Sequence, residues 1–404
     1  MIRSPRLFAL GFALFAGGVA SAQRPQPPLT ASVRGALIDS PDALAAEITR
    51  ELRRVHNDGH LRVVHDPDDA ARAADTTRRE VRDASARDRR ANFYFRDARI
   101  LAGNIGYVEF SQYADTSEMA RRTVRAAMQF VANTEALIVD QRDNRGGSAA
   151  MAGEIASYFV NGRVHWSDSY NRLTDTWTEG WVENRPAITG GIYLGMPITV
   201  LTSTWTYSAA EGLAYSLQHG RNARVVGQPS GGGAHIVRRV GLGNGFVGFI
   251  PYIRGVNVAT ATNWEGTGVI PDLVVAAPLA LLRAQEAILG DRMALAKDSS
   301  AQRPISWAVN AARADASDVD MAPSVLRGYT GQFEEYVFSL RDNRLHSENR
   351  SRNGKMDKLK PITRALFQID RESQVEFVGD PSGIITSVRI HWNDGWVDTI
   401  RKTK

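Results

Sequence analysis

Three side chains and one pair of glycines in this sequence have the types and settings that covalent chemistry requires. Ser208 lies in Thr204-Trp205-Thr206-Tyr207-Ser208-Ala209-Ala210-Glu211, after a strongly apolar run and where a helix should begin. As an N-cap, a serine there satisfies an orphan backbone N–H and is worth about 1 kcal/mol. As a nucleophile, it gains from the helix dipole and from the Ala209 N–H, which can point at a developing oxyanion. His60, in Asn57-Asp58-Gly59-His60-Leu61-Arg62-Val63, is one of eight histidines. Most histidines are structural or exposed, but an unperturbed pKa of about 6.5 makes this side chain a suitable general base near neutral pH. Glu265 sits in the glycine-punctuated loop Asn263-Trp264-Glu265-Gly266-Thr267-Gly268-Val269-Ile270-Pro271-Asp272. It reads either as an exposed loop carboxylate or as a third group that holds a base in one tautomer. The glycines of Asn144-Arg145-Gly146-Gly147-Ser148 permit a tight turn or a close backbone approach at a helix start.

These residues need elements to hold them, and hydrophobic periodicity supplies candidates. Apolar groups at 44, 48, 52 and 55 predict an amphipathic helix over 42–55, with His60 at the hinge before a strand. From Ile105 the pattern alternates: strands at 105–110, 136–140, 197–202 and 224–227, with helices near 117–132, 149–160 and 208–218. Such alternation means an α/β layer structure. Residues 66–90 are charged and alanine-rich with few large apolar groups, which reads as an exposed insertion. A helix is expected over 278–296, then a polar break at Asp298–Pro304. Beyond it, Asp342-Asn343 between two apolar runs is a hairpin signal, and short strands at 374–377, 385–392 and 396–400 indicate a small all-β unit.

The chain opens Met1-Ile2-Arg3-Ser4-Pro5-Arg6, is apolar from Leu7 to Val19 and reaches Ala20-Ser21-Ala22. That order reads as a signal peptide of residues 1–22, too short for a membrane span of roughly 20 apolar residues. It predicts a periplasmic or secreted bacterial protein with no stable membrane insertion after cleavage. The absence of cysteine excludes a thiol nucleophile and disulfides. A formal net charge of +5 comes without a basic stripe interleaved with aromatics, so nucleic acid is not an expected partner. Neither G-x-G-x-x-G, H-E-x-x-H nor C-x-x-C occurs. No metal and no cofactor is expected.

Taken in order, Asp58-Gly59-His60-Leu61, Leu137–Arg142 with Asn144–Gly147, Thr202–Glu211, Val226-Gly227 with Gly231-Gly232-Gly233-Ala234-His235, and Glu265–Asp272 resemble the tail-specific (C-terminal processing) and tricorn-core serine peptidases. The resemblance covers about residues 40–280 and is similar also to interphotoreceptor retinoid-binding protein modules. It implies a crotonase/ClpP-like α/β core with a short helical N-terminal segment and a small all-β C-terminal domain. It further implies Ser208 as nucleophile, His60 as base, Glu265 as supporting acid, and the N–H groups of Gly147 and Ala209 as the oxyanion hole. The tail-specific branch uses a lysine base about 25 residues beyond the serine. Here that region is Gly231-Gly232-Gly233, which favours the histidine version. The tricorn version places a serine beside the histidine; here the neighbour is Gly59, leaving open whether Glu265 acts directly or through water. Too little sequence separates His60 from Ile105 for a PDZ domain.

The expected organisation is a signal peptide (1–22), a helical cap segment with an insertion (23–100), an α/β peptidase core (101–298), a linker (299–322) and a β domain (323–404). The expected function is hydrolysis of a peptide or protein substrate through a Ser/His/Glu acyl-enzyme, with oligomerisation open. The alternative is a non-catalytic module binding a retinoid or lipid-like molecule on the same fold.

Overall fold

The computed structural model describes residues 40–74, 84–316, 319–351 and 354–403. The signal-peptide reading at 1–22 and part of the charged insertion lie outside the described residues.

Helix α1 (Pro41–Val55) is capped by Ser40, whose hydroxyl accepts from the Ala43 N–H, and its Ala45 and Ile48 pack on Val63 and Phe246. The Thr49 hydroxyl bonds both the N–H and the C=O of Val63, which ties α1 to strand β1 (Arg62–His65). Two short helices follow in the charged insertion, α2 (Pro67–Ala74) and α3 (Ala84–Arg90). The core then runs β2 (Phe95–Leu101), β3 (Ile105–Phe110), α4 (Glu118–Phe130), β4 (Ala136–Asp140), α5 (Ala149–Ala156), β5 (Arg163–Asn171), β6 (Thr176–Glu183), β7 (Ile198–Thr202), α6 (Ala209–Arg221), β8 (Arg224–Gly227), β9 (His235–Gly243), β10 (Phe246–Asn257), β11 (Leu273–Val274), α7 (Ala280–Leu295) and α8 (Ser299–Ala316).

The central sheet has the order β11-β8-β7-β4-β3-β2, parallel except for the antiparallel edge strand β2. Strands β4 and β7 are buried along their whole length, which explains why their sequences are unbroken apolar runs. The period of two divides β4 between the faces. Leu137 and Val139 join the core under α4, α5 and α6, and Ala136 and Ile138 join the core under α7 and α8. The architecture is the expected mixed α/β. A second, antiparallel sheet of β1, β10, β5 and β6, with β9 also on β10, carries the N-terminal segment to the central layer.

The 299–322 segment departs from the expected linker. The polar residues before Pro304 are the start of α8, where the Asp298 carboxylate accepts from the Ala301 N–H and the Ser300 hydroxyl. Ile305, Ala308 and Ala312, spaced by three and four, are buried along it. Reading cap residues as a break concealed the apolar stripe behind them. The C-terminal region is β-rich, as expected: two antiparallel sheets share a core around Phe333, Phe338, Phe367 and Phe377. Among the described residues no helix is long and apolar enough to cross a membrane.

Candidate active site

The loops leaving β4 and β7 at their carboxyl ends meet, where ligands of open parallel sheets bind. They are stitched together: the Thr206 hydroxyl donates to the Gln141 carbonyl (2.8 Å), the Ser203 hydroxyl to that of Arg142, and the Tyr207 N–H to that of Asn144 (3.0 Å). Ser208 follows at the start of α6 with φ +56° and ψ −120°, a conformation that L-residues rarely adopt. Its N–H donates to Glu211 Oε2 (2.7 Å), so the glutamate side chain holds this end of the helix.

Gly146 lies directly against this serine, and Gly147 against the Tyr113 backbone. A Cβ on Gly146 would stand 2.9 Å from Ser208 Cβ and 3.0 Å from the Ala209 nitrogen, and one on Gly147 (φ +121°) would collide with the Tyr113 carbonyl. The paired glycines are thus a close backbone approach. Among the described residues, the N–H groups of Gly147 and Ala209 donate to no protein acceptor.

His60 is brought in from the N-terminal segment and is buried. Its ring centroid is 4.8 Å from that of Tyr207, its N–H donates to Asp58 Oδ1 (2.8 Å), and its Nδ1 is buried without a partner. Burial pushes its pKa down to about 4, with Arg62, His235 and Arg53 adding to the fall and Asp58 opposing it. Ser208 and His60 flank Tyr207, yet no hydrogen bond joins the Ser208 hydroxyl to the His60 ring. Such bonds commonly tighten only with substrate bound.

Glu265 enters the same cluster. Its Oε2 accepts from the Ala234 N–H (2.6 Å), its Oε1 from the Gly59 N–H (3.4 Å), and donor atoms of Asp58, His60 and Glu265 lie within 4.8 Å of one another. Glu265 makes no hydrogen bond to the His60 ring. Gly59 is glycine for a steric reason, because a Cβ there would collide with the Tyr207 hydroxyl.

Three acidic or basic groups here were not singled out from the sequence. Asp58 is fully buried and accepts from His60 N–H and from His235 Nδ1 (2.6 Å). Burial alone would raise its pKa, but the His235 ring and the His60 N–H outweigh it and hold the carboxyl below its usual range. His235 is correspondingly pushed up: burial opposes its charge, and Asp58 and Glu265 (3.5 Å) more than offset that. Glu211 is fully buried and accepts from Ser208 N–H, Gly232 N–H (2.6 Å), Gly233 N–H (2.9 Å) and the Ser230 hydroxyl (2.5 Å). Burial pushes its pKa up against those four donors. Its spacing from Ser208, S-x-x-E, is the capping-box pattern and was the available signal. Two trios, His56–Asp58–His235 and Asp58–His60–Glu265, have metal-ligand side-chain types, but both rely on Asp58, whose oxygens already hold His60 and His235.

The Gly231–Gly233 loop, held by Glu211, packs on Tyr207 and His60; a Cβ on Gly233 would stand 2.7 Å from His60 Cε1 and collide with the Tyr207 ring. Gly233→Ala is therefore expected to cost about 1–3 kcal/mol in chemical unfolding. Unchanged stability would mean that the tilted Tyr207–His60 ring contact yields freely.

The family model for Peptidase family S41 matches residues 104–275. The carboxyl-terminal-processing peptidase 2, chloroplastic, of Arabidopsis thaliana is 28% identical over 172 residues, which is 42% of this chain and 31% of that protein. The chain thus matches about a third of that relative's length. Among solved structures, the photosystem II D1 C-terminal processing protease is 20% identical over 43% of this chain and 42% of its own, with a TM-score of 0.35. A lipoprotein from Streptococcus agalactiae is 17% identical over 63% of this chain and 84% of its own, with a TM-score of 0.43. Residues 104–275, which carry Ser208, Glu265 and the paired glycines, are a Peptidase family S41 domain.

Proposed function

We propose that this chain is a serine peptidase in which Ser208 is the nucleophile, His60 the general base, and Gly147 and Ala209 the oxyanion donors. The observation that carries this reading is Ser208 itself: a serine in a costly backbone conformation at a helix start, packed against Gly146, with the adjoining Ala209 and Gly147 N–H groups free of acceptors among the described residues. Ser208 Oγ attacks a peptide carbonyl while His60 takes its proton. The carbonyl oxygen becomes an oxyanion between the two N–H groups, and collapse expels the amine with the proton returned by His60. Water then attacks the acyl-enzyme by the same route. Glu265 and Asp58 hold the segment that bears His60. Export through residues 1–22 to a periplasmic or extracellular site, and the division into a core at 101–298 and a β domain at 323–404, belong to the same proposal.

Labelling with a fluorophosphonate, followed by peptide mapping, tests it. Modification at Ser208 that both Ser208→Ala and His60→Ala abolish is the expected result. Folded protein that does not react would sink the reading and favour the retinoid- or lipid-binding alternative.

The position of His60 also fixes a pH dependence. With its pKa lowered from 6.5 to about 4, the ring is neutral and able to accept a proton well into the acid range, so the acid limb of kcat/KM is expected near pH 4. Stability changes with the opposite cost. Between pH 6.5 and about 4 the unfolded chain binds the proton that folded His60 refuses, so stability is full above 6.5 and falls by about 3 kcal/mol on the way to pH 4. His60→Gln should flatten that slope; an unaltered slope would assign it elsewhere.

A further inference from the structure

Between α1 and β1 lies an open groove of about 620 Å³, with Arg50, Arg53, Arg54 and Arg62 along its walls and Ala46 and Val63 among its lining. Two glutamates neutralise part of this charge: Arg50 pairs with Glu47, and Arg54 with Glu51 (3.0 Å). Arg53 and Arg62 have no carboxylate partner among the described residues. Arg53 instead donates to the carbonyls of Leu61 (2.9 Å) and Gly59 (2.6 Å), the two residues that flank His60. Arg62 lies over the Phe249 ring at 4.0 Å, half-buried, and burial lowers its pKa. A desolvated guanidinium facing an aromatic ring and a neighbouring guanidinium, Arg53, is costly, and a carboxylate is the group whose geometry it fits bidentately.

We propose that this groove binds carboxylate groups of the peptide substrate and so directs the peptidase to acidic peptides. The peptide part of the proposal rests on the function inferred above; the carboxylate part rests on the groove alone. Because Arg53 spans the backbone on both sides of His60, a carboxylate held here anchors the substrate beside the base. Arg53 supplies the fixed edge of the site, and Arg62, held by its ring contact rather than by an acid, is the donor that a ligand can engage. The carboxylate has two sources, acidic side chains or the chain end.

The test is fluorescence anisotropy on the Ser208→Ala protein with four labelled probes: amidated tetraglutamate, amidated tetraglutamine, and tetra-alanine with free and with amidated ends. Amidated tetraglutamate is expected to bind about tenfold tighter than tetraglutamine. Arg62→Gln should remove that preference with the unfolding midpoint unchanged. If free tetra-alanine outbinds its amide while the glutamate probe gains nothing, the carboxylate recognised is the chain end. Equal binding of all four probes, or full preference retained in Arg62→Gln, overturns the proposal, as does tighter binding of a single-stranded oligonucleotide than of any peptide. A protein inert to fluorophosphonate that still prefers tetraglutamate would keep the groove and discard the peptidase reading.

Discussion

Ser208→Ala is expected to lower peptide hydrolysis by about 10⁴-fold or more, and to abolish fluorophosphonate labelling, while leaving the protein folded. His60→Ala should fall to a similar rate, because nucleophile and base act as one unit and their effects do not add. The structure supplies a second, independent readout at the same position. Ser208 holds φ +56° and ψ −120°. A non-glycine residue in such a conformation stores about 1–3 kcal/mol. Ser208→Ala keeps that strain, whereas Ser208→Gly relieves it at the cost of about 0.5–1 kcal/mol of extra backbone freedom in the unfolded chain. Both variants should be inactive, with Ser208→Gly the more stable by about 1 kcal/mol in urea unfolding. A rate near that of the unchanged protein in either variant would remove Ser208 from the chemistry. Equal stabilities would mean that the turn relaxes and that no strain is held there.

The parts of this molecule that were legible in the sequence are those governed by local pattern. The buried runs at 136–140 and 197–202 could only be strands covered on both faces, and they are the middle of the central sheet. The C-terminal hairpin at Asp342-Asn343 was equally plain, since both residues take the positive φ that such a turn requires. The segment at 299–316 was not legible as a helix, because capping residues and Pro304 look like loop until the buried stripe behind them is seen. At the site, Ser208 and the paired glycines could be found from their place between strand and helix. Asp58 and His235 could not be given a role, because their bond joins residues 177 positions apart and only the second sheet brings them together. The type of each residue was visible, but long-range pairing carries no local periodicity.

That pairing leads to the second large effect, which concerns the acid that supports His60. The resemblance implies Glu265, but Asp58 has no solvent exposure and is bonded both to the His60 backbone N–H and to the His235 ring. Asp58→Asn removes the charge and leaves the shape. One amide oxygen can still accept from His60, but the amide NH₂ then faces His235 Nδ1, and a protonated His235 sits beside a donor. The variant is expected to lose about 2–4 kcal/mol of stability, and kcat/KM about 10²-fold, mostly in kcat because the loss is of base positioning. The pH signature separates this from a merely structural defect. His235 owes its raised pKa mainly to Asp58, so it contributes stability at low pH that disappears as pH rises through that raised value. In Asp58→Asn the His235 proton resonance should titrate at a lower pH than in the unchanged protein, and that slope should vanish. Glu265→Gln is the comparison. It keeps an oxygen for Ala234 N–H, removes the charge 3.5 Å from His235 and gives up only the long 3.4 Å bond from the Gly59 N–H, so a smaller loss is expected. If Glu265→Gln instead proves the more damaging and Asp58→Asn is nearly neutral, then Glu265 is the supporting acid and Asp58 a structural bond alone.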